Sequence, residues 1–184
     1  MSNQPNRLKR ISGDFVISIL ASVIYTFARQ IVVFPLLAAQ LTDADYGTLL
    51  TVAGLANVCT AMIGGSLNNI RLIEDSRYQE QGQLGDFNLL CLLGSGVSVV
   101  FAAVLWRMFA LSPLTAVLLG AYLIVSNLYQ YATAFFRLEL NFKRALCCNV
   151  AVSAAYCAAA LLFATAELWP AVFLVGEGAG LLFV

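Results

Sequence analysis

Two ionisable side chains stand where charge is expensive. Arg29 lies inside an apolar run from about Ile11 to Gln40, and Glu177 lies in the GEGAG stretch of the last apolar run. A charge in hydrocarbon costs at least a few kcal/mol, so one that persists faces a cavity, a partner group or backbone carbonyls. Arg29 sits 11 residues before Gln40, about 16 Å along a helix and near a bilayer midplane. It either snorkels or packs on carbonyls at a helix interface, or offers a cationic lumen site to an anionic substrate head. Glu177 is seven to nine positions past the turn Glu167 to Pro170, about 10 to 14 Å deep. Equal depth permits a neutralising Arg29–Glu177 pair without establishing that the two helices touch.

Uncharged polar groups gather beside them. Asn57 lies in the second apolar run, with Asn68 and Asn69 at its end. Ser126, Asn127, Gln130 and Tyr131 fall at i, i+1, i+4 and i+5 in the fourth, a spacing that puts much of the set on one helical face. Such residues serve interhelical hydrogen bonding or line a sugar-binding cavity. The candidate lumen set is therefore Arg29, Asn57, Asn127, Gln130, Tyr131 and Glu177. Pro35 is placed to kink the first helix.

Other chemistries are poorly supplied. The chain has no His, which removes the usual general base and the commonest metal ligand. No paired acidic motif sits at the end of an apolar run, so the expectation is a protein that is not an enzyme and uses no metal or cofactor. The cysteines Cys59, Cys91, Cys147, Cys148 and Cys157 lack CxxC spacing and read as small packing residues. Gly94 and Gly96, in LLGSGVS, lie within an apolar run without the strand and Lys of a phosphate loop, so they too read as packing positions, as do the glycines flanking Glu177.

The elements that must position these residues follow from composition. Of 184 residues, 61% are hydrophobic and 11% charged, too little polar surface to coat a soluble globule of this size. The formal net charge of zero leaves no basic field to hold nucleic acid. Six apolar stretches recur, at about Ile11 to Gln40, Tyr46 to Ile70, Phe87 to Trp106, Leu114 to Phe136, Leu146 to Ala166, and from about Ala171. The expected class is all-α, a polytopic six-helix transmembrane bundle preceded by a tail over residues 1–10. The N-terminal run is too long for a signal peptide. The segment from Arg71 to Asp86 reads as a loop or surface-lying helix. The final run reaches only about 15 residues past Pro170, short of the roughly 20 a span needs, so a longer parent chain is expected.

Lys and Arg sort by loop. Arg7, Lys9, Arg10, Arg71, Arg77, Arg137, Lys143 and Arg144 occupy the tail and alternate loops, whereas the opposite loops hold only Arg107. Positive residues in short loops stay in the cytoplasm, which predicts a cytoplasmic N-terminus, with Asp43, Asp45 and Glu167 outside. The same cations have a secondary capacity for phosphate head groups.

Three segments carry a resemblance: PLLAAQLTDADYGTL from Pro35 to Leu49, the NNIRLIEDSR exit of the second run, and ATAFFRLELNFKRA before the fifth. Together they resemble the N-terminal half of Wzx-like lipid-linked repeat-unit flippases, polysaccharide biosynthesis proteins of the multidrug/oligosaccharidyl-lipid/polysaccharide exporter superfamily. Tyr46-Gly47 and Phe136-Arg137 bear most of the likeness. The resemblance implies two six-helix lobes around a cavity working by alternating access, with this chain as the first lobe in a bacterial cytoplasmic membrane. It further implies a polyprenyl-pyrophosphate-linked oligosaccharide as substrate, Arg29 as its cationic contact, and as partners membrane lipid, a second lobe or other polysaccharide-assembly proteins. The alternatives are export of drugs or small solutes, which would use Glu177, and a non-transporting membrane fragment.

Overall fold

A computed structural model of the chain describes residues 4–82, 86–139 and 141–183, with side chains from Gly13 onward other than those of residues 76, 79 and 137. The tail cations Arg7, Lys9 and Arg10 and the Arg137 guanidinium therefore lie outside the described side chains. Residues 83–85 of the polar segment, and Leu140, lie outside the description altogether.

No strand occurs among the described residues. The helices are α1 (Gln4–Phe27), α2 (Phe34–Gln40), α3 (Asp43–Thr60), α4 (Ser66–Glu80), α5 (Phe87–Phe109), α6 (Pro113–Ala132), α7 (Ala134–Leu138), α8 (Phe142–Phe163) and α9 (Trp169–Leu181). A π-helical segment, Ala28–Val33, joins α1 to α2 without a break, and a second, Ala61–Gly65, joins α3 to α4. Five helical stretches are long and apolar enough to cross a membrane: Gly13–Gln40, Asp43–Asp75, Phe87–Phe109, Pro113–Phe136 and Phe142–Phe163. The sixth run folds as α9, 13 residues or about 20 Å of helix. The polar segment after Ile70 is not a separate surface element; it continues the second helix through Glu80.

Local sequence explains the boundaries. Thr42 accepts from the Asp45 amide at 3.2 Å, and Asp43 and Asp45 occupy the first turn of α3, where carboxylates complement the helix dipole. The acidic turn is thus a helix cap. Ser112 caps α6 through the Thr115 amide, with Pro113 opening the helix, and Asn141 caps α8 through the Arg144 amide. Ahead of Pro35, which has no N–H to give, the Phe34 N–H bonds to the Arg29 carbonyl five residues back. The widened turn spares the carbonyl that the proline ring would otherwise strike.

Helix α6 is the centre of the bundle, packed against α5 on one side and α9 on the other; α9 leans on α8, and α8 carries α1. The Thr115 hydroxyl donates to the Glu167 carbonyl at 3.0 Å, pinning the start of α6 to the α8–α9 turn. Small residues let the backbones approach. A Cβ at Gly176 would collide with the Tyr156 ring, and one at Gly180 with Tyr129 and Val152. A Cβ at Gly94 would strike Ile63, whereas Gly96 and Gly178 face open space and are not packing positions. Cys59, Cys91 and Cys148 are buried, Cys147 is exposed, and all five thiols are free.

Polarity is inverted relative to a water-soluble bundle. Helix α5 buries Cys91, Ser95, Ser98, Ala102 and Leu105 and exposes Leu89, Leu92, Leu93, Val97, Val100 and Met108. Its larger apolar side chains face outward and its small and hydroxyl-bearing ones inward.

Candidate functional site

Arg29 leaves the first helix from the π-helical segment and points into the bundle, 8% exposed. Its Nη2 donates to Asn57 Oδ1 on α3 at 2.8 Å and reaches the Tyr122 hydroxyl on α6 at 3.5 Å. Its Nη1 donates to the Tyr25 hydroxyl, one helical turn earlier, at 3.4 Å. The guanidinium carbon lies 5.0 Å from the Phe173 ring centroid, a cation–π distance. Arg29 Nε has no hydrogen-bond partner.

Glu177, on α9, is 3% exposed and enters the same cluster from the other side. One carboxylate oxygen accepts from Tyr156 at 3.0 Å and from Tyr25 at 3.3 Å, while the second has no partner. Arg29 and Glu177 therefore share a site without forming an ion pair; the Tyr25 hydroxyl stands between them. This differs from the direct pair that equal depth permitted. A phenol on the turn below Arg29 already occupies the space where the two charged groups would meet.

Ser22, Arg29, Asn57, Gln130, Asn149 and Glu177 are among the residues lining a cavity of about 290 Å³ between α1, α3, α6, α8 and α9. Its polar lining lies toward the α1 N-terminus and the α6 C-terminus. Beyond Arg29, toward the α2–α3 turn, Val33, Leu37, Leu49, Val52, Leu119 and Phe173 are fully buried and apolar. The cavity is thus closed at that end by packed hydrocarbon.

The fourth helix divides its polar residues between two rows. Gln130 faces the cavity, and Ser126, one turn before it, is buried on the same row. Asn127 instead accepts from the Gly64 amide at 3.2 Å and donates to Ser98 at 2.6 Å, and Tyr131 donates to Asn88 at 2.8 Å. The rotation of about 100° per residue separates positions 126 and 130 from 127 and 131. Asn127 and Tyr131 are accordingly parts of the α3–α5–α6 packing and not of the cavity. Asn68 donates to the Gln130 carbonyl at 2.7 Å and links helices, while Asn69 is exposed.

Tyr25, Tyr122, Tyr156 and Asn149 are site residues that the sequence reading missed. Tyr25 was signalled by its i−4 relation to Arg29, whereas Tyr156 is brought in only by the contact between α8 and α9. Arg71, expected to act through topology, spreads over the Tyr131 and Phe135 rings at 4.9 and 4.0 Å. Among the described residues no cluster of His, Cys, Asp and Glu is arranged for a metal. The site offers a fixed cation with one free N–H, a carboxylate with one free oxygen, and hydroxyl and amide groups around them. That is equipment for binding an anionic, hydroxyl-rich group. Compared with models of protein families, with curated proteins and with solved structures, the chain matches none.

Proposed function

We propose that the chain is a multi-pass membrane protein of the bacterial cytoplasmic membrane that takes part in moving a polyprenyl-pyrophosphate-linked oligosaccharide between leaflets. One observation carries this reading: a cation 8% exposed, with an unpartnered N–H, lines a polar cavity inside helices whose outer surfaces are apolar. A guanidinium away from water prefers an anionic oxygen to any neutral partner, and a pyrophosphate supplies several. Amides and hydroxyls around it suit sugar hydroxyls. The outward-facing Leu, Ile, Val and Phe side chains need hydrocarbon as their solvent. The resemblance to Wzx-like flippases supplies the substrate class and the alternating-access scheme.

Arg29→Ala, introduced into the encoding gene, tests the reading. Surface glycan should be lost while the protein still inserts into the membrane at normal abundance; normal glycan export by this variant removes Arg29 from the mechanism. Tag mapping should place the N-terminus and Arg77 on the cytoplasmic face.

A second reading, export of a cationic solute, is favoured by the free carboxylate oxygen of Glu177. It requires Glu177→Gln to abolish transport in cells whose glycan is unchanged.

A further inference from the structure

Two concave features meet on the first helix. The polar cavity beside Arg29 and a second, largely apolar groove of about 500 Å³ share Ser22 and Thr26 as common walls. The groove runs along the outer surface of α1 into the π-helical segment, between one row of residues at four-residue spacing through Ser22 and Thr26 and the next through Ile19, Val23, Phe27 and Ile31. Neighbouring i±4 rows on a helix form ridges with a groove between them. Here one ridge is polar and adjoins the cavity, and the other is apolar and about half exposed, from 48% at Ile19 to 59% at Ile31.

We infer that this groove seats the hydrocarbon chain of an amphiphile whose anionic head lies in the Arg29 cavity, and that the ligand is a single-chain polyprenyl phosphate or pyrophosphate. The inference rests on the transport reading above and gives the lipid part of that ligand a place. Continuity is the argument: a head held near Arg29 delivers its chain across Ser22 and Thr26 directly onto the apolar ridge. The groove is one ridge interval wide, room for one chain and not for the two of a diacyl lipid. Its course from residue 18 to residue 31 covers about 20 Å, comparable with one leaflet of a hydrocarbon core about 30 Å thick. The other large apolar groove, between α5 and α6 and lined by Val99, Trp106 and Ala121 among others, shares no residue with the polar cavity and gives a head group nowhere to go.

The test uses the purified full chain in detergent micelles and radiolabelled farnesyl phosphate, with inorganic phosphate and a diacyl phosphatidic acid as comparison ligands. Farnesyl phosphate should bind at least tenfold tighter than inorganic phosphate. Val23→Trp, which fills the groove, and Phe27→Ala, which removes a wall, should each weaken farnesyl phosphate at least fivefold and leave inorganic phosphate unchanged. Val97→Trp, on the exposed face of α5, is the control for bulk on a lipid-facing surface. Farnesyl phosphate binding that is the same in Val23→Trp, Phe27→Ala and Val97→Trp overturns the chain seat, and equal binding of phosphatidic acid overturns the single-chain assignment. Arg29→Ala should weaken both phosphates; if it weakens neither, the transport reading fails instead, so the two failures are distinguishable.

Discussion

Arg29 and Glu177 lie at one level of the bundle and meet through a single atom, the Tyr25 hydroxyl, 3.4 Å from Arg29 Nη1 and 3.3 Å from Glu177 Oε1. Each charged group keeps one polar atom free. The charges offset one another electrostatically while their remaining hydrogen-bonding capacity is directed elsewhere. An uncompensated charge buried this deeply would be strongly destabilising.

Replacing Tyr25 by Phe keeps the ring and removes the bridge. Loss of a hydrogen bond to charged groups costs about 1.5 to 3 kcal/mol. Thermal unfolding of the purified protein should show a clear drop for Tyr25→Phe and a smaller one for Tyr131→Phe, whose hydroxyl bonds only the neutral Asn88.

Removing either charge alone strands the other. Arg29→Met and Glu177→Gln should each destabilise by about 3 to 5 kcal/mol. The double variant should be more stable than the sum of the two by at least about 1 kcal/mol. Denaturant titration of the four proteins measures this coupling, and strict additivity would show that the two groups do not sense each other.

Helix α9 fits its neighbours only through glycine at two of its positions. Gly176→Ala and Gly180→Ala place a methyl group against Tyr156 and against Tyr129 with Val152, and overpacking of this kind costs about 1 to 3 kcal/mol. Gly178→Ala meets open space and should be neutral or stabilising by up to about 1 kcal/mol, from helix propensity. Melting temperatures of the three variants separate close packing from glycine content.

Pro35 acts on Arg29 through the backbone. With Ala at position 35 the amide can join a regular helical ladder, the π-helical turn loses its cause, and Arg29 rotates by up to about 100° relative to α2. The expected outcome is unchanged or increased thermal stability together with lost glycan export. Retained export would show that the widened turn is incidental.

Hydropathy is a sum over neighbours in the chain, so the sequence alone determined the helical class, the apolar runs and the equal depth of Arg29 and Glu177, and it marked Asn57 and Gln130 as polar groups inside those runs. Helix ends were legible wherever a cap was local, as at Thr42, Ser112 and Asn141. The extension of the second helix through Glu80 was not, because polar residues favour a loop unless a preceding helix propagates into them. Facing is another matter. Which side of a helix looks inward depends on the rotation between neighbours and on where a π-helical turn shifts the register. Only the tertiary structure turned Asn127 and Tyr131 away from the cavity, brought Tyr156 from α8 to Glu177, and set a phenol between the two charges. Those relationships are fixed by packing between segments as many as 152 residues apart, and no local pattern encodes them.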